Sequence, residues 1–298
     1  MSAVVVPIVP AITIRRILYA TDFSDASRAV LPVVAALAKR YRSEVYVANI
    51  RSPLPYTMAT PEAVCVVENK REREVRQAMN DLIQRPELRG QAATAIVETG
   101  DPAEELNRAV RDYDIDLAVV GTHGRTGLMR LLMGSLAEEL FRSLPCPVLT
   151  AGPRLAKRFS SPGEIRTILC PTDLSRESRN AFPLAASLAM EYKAKIVLLH
   201  VIPAHEARSS IARETAALAR REVRRMFCPE IDPRCSFEVV VDFGDPAERI
   251  LSCAREFQAD VIALGVRPAG EGVTHFRNTV AYKVVLESEC PVLTRRSA

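Results

Sequence analysis

Tryptophan is absent from this chain, and aromatic residues make up only 5% of it. Stacking surfaces for nucleic acid need aromatics beside clustered positive charge. The charge is lacking too: 40 Lys plus Arg against 36 Asp plus Glu leave a net +4. A nucleic-acid partner is not expected. Glycine is scarce, 12 in 298 residues and without a period, which excludes a collagen-like chain. The seven cysteines are an odd number and none forms a CxxC pair, so neither a disulfide framework nor a zinc ribbon is expected. His200 and His205 lack the helical spacing of metal ligands, and no metal site is expected. No G-x4-G-K-[ST] occurs, which excludes the P-loop lysine. Nor is there an apolar run of the ~20 residues that span a bilayer. The apolar start, Val4 to Ile12, is broken by Pro7 and Pro10, and Arg15 and Arg16 follow it instead of preceding it. It reads as an extended arm on the body, with no membrane contact and a cytoplasmic location expected.

What is present is ordinary core-forming composition, 48% hydrophobic and 26% charged, written twice. Ile17-Leu18-Tyr19-Ala20-Thr21-Asp22-Phe23-Ser24 returns 151 residues later as Ile168-Leu169-Cys170-Pro171-Thr172-Asp173-Leu174-Ser175. Carried ungapped to Ile50 and Val201, the match gives 12 identities in 34 positions, including Pro32 and Pro183 inside helical patterns. Gly100-Asp101-Pro102-Ala103-Glu104 returns as Gly244-Asp245-Pro246-Ala247-Glu248, and Cys146-Pro147-Val148-Leu149-Thr150 as Cys290-Pro291-Val292-Leu293-Thr294, both at 144. A period near 150 is a domain duplication, not a solenoid. The expected division is a first domain over 1–152, a linker over 153–164 rich in Pro and Ser, and a second domain over 165–298.

Each copy alternates buried-type strands with amphipathic helices. Ile17 to Ala20, Val45 to Ile50 and Leu117 to Val120 are short apolar runs of the parallel-sheet kind. Between the first two, Ala26 to Tyr41 carries helical periodicity, with a kink expected at Pro32. Asp101-Pro102-Ala103-Glu104 supplies an N-cap acid, an N1 proline and an N3 acid, a helix start. The fold class is α/β, one doubly wound sheet per copy.

After the strand ending at Val120 come Gly121, Thr122, His123 and Gly124, and nine residues on come Gly134 and Ser135, opening a helix from Leu136 to Leu144. Glycines allow a tight turn and close approach of backbone to an anion. Free N–H groups and the positive end of a helix dipole add to that. Ligands of open α/β sheets bind at the carboxyl ends of strands, where Asp22 also sits.

This pattern, G-x2-G-x9-G-[S/T] met by Gly121, Gly124, Gly134 and Ser135, resembles the nucleotide signature of the universal stress protein family. Ala20-Thr21-Asp22-Phe23-Ser24 and Cys146-Pro147-Val148-Leu149 are similar to that family as well, and the resemblance covers both copies. It implies a five-stranded parallel sheet per domain in the order 3-2-1-4-5 and pairing of two domains within the chain through their last strands; whether chains pair further, as a homodimer, is left open by the sequence. It also implies ATP, with or without Mg2+, as ligand. Asp22 would contact adenosine, with Thr21 beside it, and Ile50 would line the base pocket. Gly121, Thr122, Gly124, Gly134 and Ser135 would hold ribose and phosphates, with Ala20 and Leu136 flanking. Arg125 could balance phosphate charge. In the second copy Gly265 matches Gly121, but Pro268 and Asn278 replace the next two glycines, so that copy is expected to bind ATP weakly or not at all.

No catalytic residue is assigned. His123, between two glycines, fits either an acid–base group or an exposed loop residue. The arginines of 213–225 are interleaved with Glu214 and Glu222, the pattern of a solvated helix face. Three functions therefore stand: a nucleotide-binding regulatory protein in which ATP switches conformation or partner, a slow ATPase or phosphotransferase, and an interaction module without nucleotide.

Overall fold

The computed structural model describes residues 13–53, 61–121, 135–152, 164–227, 235–267 and 279–296. They fall into two compact units, Ile14–Val148 and Leu149–Ala298. The apolar N-terminal arm and, but for Glu164 at its end, the linker expected from the sequence lie outside the described residues.

The first unit holds strands β1 (Arg16–Ala20), β2 (Glu44–Arg51), β3 (Ala93–Thr99) and β4 (Leu117–Gly121), in the order β3-β2-β1-β4. All its strand pairs are parallel. Ile17, Leu18 and Tyr19 are almost wholly buried, as the unbroken apolar run requires of a strand covered on both faces. Helices α1 (Asp25–Ala29), α2 (Leu31–Tyr41), α3 (Pro61–Ile83), α4 (Pro102–Asp112) and α5 (Ser135–Ser143) connect them. The expected single helix is interrupted: Val30 ends α1 and caps α2, and Pro32 falls in the first turn of α2, where its missing N–H costs little. Asp101 caps α4 as expected, accepting from the N–H groups of Ala103 and Glu104. The face of α4 made by Ala103, Leu106, Ala109 and Val110 is buried, the i, i+3, i+7 stripe of an amphipathic helix.

The second unit contains β5 (Val148–Ala151, from Leu149 on), β6 (Thr167–Thr172), β7 (Lys195–Ile202), β8 (Phe237–Phe243), β9 (Val261–Val266) and β10 (Val292–Arg296). Their order is β5-β10-β9-β6-β7-β8. The β9–β10, β6–β9, β6–β7 and β7–β8 pairs are parallel. The last strand of the first repeat thus lies beside the last strand of the second, and Thr150 Oγ1 donates to the Val292 carbonyl at 3.1 Å. Helices α6 (Arg176–Tyr192), α7 (Ala212–Phe227), α8 (Pro246–Glu256) and α9 (Val280–Glu287) complete the unit. Pro183 sits inside an unbroken α6, in contrast to its counterpart Pro32.

A duplicated carboxylate pins the amino end of each central strand. Asp116 Oδ2 accepts from the N–H groups of Arg15 and Arg16 at 2.7 and 2.9 Å. Asp260 Oδ2 does the same for Arg166 and Thr167, also at 2.7 and 2.9 Å. The opposite, carboxyl ends of the strands are thereby left to the loops that could hold a ligand.

Candidate functional site

At the carboxyl end of the first unit's sheet, Ala20 is level with Ala48 on one side and Val120 on the other. Gly121 follows Val120 as the last residue of β4, and Ile50 lies two residues beyond Ala48 on β2. Ala20, Ile50 and Gly121 therefore share one end of three adjacent strands. Ser135 is the first residue of α5 and Leu136, half-buried, follows it. Thr122, Gly124, Arg125 and Gly134 lie outside the described residues, as does His123.

The Thr21-Asp22-Phe23-Ser24 turn is a closed hydrogen-bonded unit. Thr21 N–H donates to the Ala48 carbonyl at 2.9 Å, extending the β1–β2 ladder by one residue. Thr21 Oγ1 accepts from Phe23 N–H at 3.0 Å and shares a 3.0 Å bond with the buried Ser27 hydroxyl. Asp22 Oδ1 accepts from Ser24 N–H at 3.0 Å, and Ser24 Oγ caps α1 by accepting from Ser27 N–H at 3.2 Å. Phe23 takes φ 62°, a left-handed conformation that these side-chain bonds help to hold. Asn49 Nδ2 donates to the Thr21 carbonyl at 2.7 Å. Below the turn, the Tyr19 hydroxyl donates to the Ser27 carbonyl at 2.7 Å, and burial pushes the phenol's pKa up.

The second unit repeats this construction almost atom for atom. Thr172 Oγ1 accepts from Leu174 N–H and shares a bond with Ser178 Oγ, each at 3.0 Å. Asp173 Oδ1 accepts from Ser175 N–H at 3.0 Å, and Leu174 has φ 65°. His200 replaces Asn49 and donates through Nδ1 to the Thr172 carbonyl at 2.8 Å, since a carbonyl can only accept. Burial alone would raise the Asp173 pKa, but hydrogen bonds from Ser175 and Ser178 outweigh it and hold the carboxyl below its ordinary value.

Two parts of this construction escaped sequence reasoning. Ser27 and Asn49 support the turn from beneath; the identity of Ser27 with Ser178 across the repeat was the available signal. The other is the reason for the first signature glycine. A Cβ on Gly265 would stand 2.0 Å from the Glu177 carbonyl oxygen and 2.7 Å from Ser178 N. Glycine at the end of β9 is required by the backbone of α6, and its φ is outside the left-handed region. That explains why Gly265 persists in a repeat where Pro268 and Asn278, both outside the described residues, replace the later glycines.

Among the described residues no cluster of three His, Cys, Asp or Glu could hold a metal ion, and no helix is long and apolar enough to cross a membrane. Cys146, Cys170, Cys253 and Cys290 are buried and Cys65 is exposed. Burial pushes the Cys146, Cys170 and Cys253 thiols up to about 12, so they are poor nucleophiles.

Two central strands, two matching turns and two matched aspartate pins describe a duplicated domain, and comparison with known proteins names its class. The universal stress protein family model matches twice, over residues 13–151 and 164–296. The chain belongs to the universal stress protein family, with two such domains in tandem. It is 26% identical over 143 residues to universal stress protein YxiE of Bacillus subtilis, covering 45% of this chain and 97% of that relative. Identity with universal stress protein A homolog 1 of Coxiella burnetii is 32% over 143 residues, 45% of this chain and 94% of the relative. The crystal structure of a universal stress protein from Archaeoglobus fulgidus covers 96% of this chain and 100% of its own, at 21% identity and a TM-score of 0.74, a likeness of fold.

Proposed function

We propose that the first repeat binds an adenine nucleotide, ATP, and that binding switches the conformation or the partner of the protein without rapid turnover. The observation that carries this reading is the complete set Gly121, Gly124, Gly134 and Ser135, whose two ends fall at the end of β4 and the start of α5. A strand end and a helix start are where backbone N–H groups and the helix dipole favour phosphate. In this reading Gly121, Thr122, Gly124, Gly134 and Ser135 hold ribose and phosphates, and Arg125 balances their charge. Asp22, fixed by Ser24 N–H, accepts from the adenosine part of the ligand, Ile50 lines the base pocket, and Ala20 and Leu136 flank the ribose and phosphates. The residues present fit such a ligand: the strand ends supply an apolar wall, and α5 supplies a helix N-terminus.

Nucleotide binding to the folded state would stabilise the first unit by mass action, and a switch requires in addition that the nucleotide bind one folded conformation more tightly than the other. The test is Gly134→Val, which adds a branched side chain where backbone must approach phosphate. Titration with a fluorescent ATP analogue should show a loss of at least ~tenfold, about 1.4 kcal/mol. Unchanged affinity in a folded variant would remove this loop from the site.

A further inference from the structure

At the carboxyl ends of β6, β7 and β9 the second unit holds a cavity of about 290 Å³. Pro171, Leu199, Ile250 and Leu264 give it a buried apolar floor. Asp173, Glu177 and Arg267 line it nearer to solvent, two carboxylates against one guanidinium. Glu177 stands where the first repeat has Ala26, and Leu199 where it has Ala48, so this lining has acquired both bulk and negative charge.

At the helix starts bordering the cavity, as at the matching turn of the first unit, the nearest N–H groups are taken up by the protein itself. Leu174 N–H goes to Thr172 Oγ1, Ser175 N–H to Asp173 Oδ1 and Ser178 N–H to Ser175 Oγ. At α9, Tyr282 N–H goes to Thr279 Oγ1 at 3.3 Å. What sets this lining apart from the first unit is Glu177: the described charged residues are Asp173 and Glu177 against Arg267, a net negative charge that disfavours an anion. Asp173 and Glu177 accept hydrogen bonds and Arg267 donates them, so a ligand paired with the two carboxylates supplies the donors. The volume lies at the small end of ligand pockets.

We propose that this cavity is a second, chemically distinct site for a phosphate-free small molecule, with an apolar body of nucleoside size and hydroxyl or amine donors, and that it discriminates against the phosphorylated form of the same body. The proposal rests on the second unit alone and stands apart from the nucleotide reading of the first.

Adenosine and AMP differ only by a phosphate and serve as probes. Calorimetric titration of the full chain is compared with Val201→Trp, which fills the cavity from β7, and with Val280→Trp, at a more exposed lining position that tolerates bulk. Circular dichroism verifies that each variant is folded. The expected result is an adenosine site that both tryptophan variants lose, with AMP weaker at that site by about tenfold or more. Glu177→Lys should close that gap by removing the repulsion. ATP titration of the same variants reports the first repeat separately and should be unchanged. AMP binding as tightly as adenosine at the Trp-sensitive site, or no Trp-sensitive adenosine binding at millimolar concentration, overturns the proposal.

Discussion

Gly265→Ala places a methyl group 2.0 Å from the Glu177 carbonyl oxygen and 2.3 Å from its carbonyl carbon. Real Cβ contacts essentially never fall below 3.0 Å, so the first turn of α6 must retreat by about 1 Å. The obstacle is backbone, which no rotamer change can move aside. Retreat also pulls on the Ser175 cap and on the Thr172–Ser178 bond that join α6 to β6. Overpacking costs about 1–3 kcal/mol in general, and a backbone clash with a cap at stake belongs at the upper end, about 3 kcal/mol. Urea unfolding followed by circular dichroism suits a chain without tryptophan, and the transition of the second unit should move to lower urea with no nucleotide present. A shift worth less than about 0.5 kcal/mol would refute the packing explanation. It would return the glycine to a role in ligand approach alone.

Asp260→Ala leaves the N–H groups of Arg166 and Thr167 without their acceptor, and should cost about 1–2 kcal/mol in the same urea assay. Iodoacetamide at pH 8 should label Cys65 rapidly, and Cys146, Cys170 and Cys253 only after unfolding, as peptide mass mapping would reveal. The same thiols set an alkaline limit. Their folded pKa, about 12, exceeds the ordinary 9.0, so the folded state holds its protons more tightly. The stability this contributes is complete below pH 9 and is lost as pH rises toward 12. Urea midpoints that stay flat from pH 8 to 11 would contradict this.

The duplication, the strand ends and both proline-led helix starts were legible because each rests on local chemistry. A buried strand needs an unbroken apolar run, and Asp101 and Asp245 cap helices through their own near neighbours. What stayed hidden depends on distant partners. Pro32 and Pro183 look alike in sequence, yet Val30 breaks the helix in one repeat and α6 runs through in the other. The need for Gly265 is set by Glu177, 88 residues away in the chain. The cavity depends on Leu199, Ile250 and Leu264 meeting from three elements, which no spacing rule reports. Ala20 and Ile50 are reached through the family resemblance and Gly121 through its place after an apolar strand; parallel pairing sets all three at one end of adjacent strands.

The most direct measurement is mass spectrometry of small molecules released by denaturing the freshly purified full chain, paired with calorimetric titration of the stripped protein with ATP. An adenine nucleotide in the released fraction and one ATP site per chain, lost in Gly134→Val, is the predicted result. Two comparable ATP sites, or an ATP site indifferent to Gly134→Val in a folded protein, would contradict it.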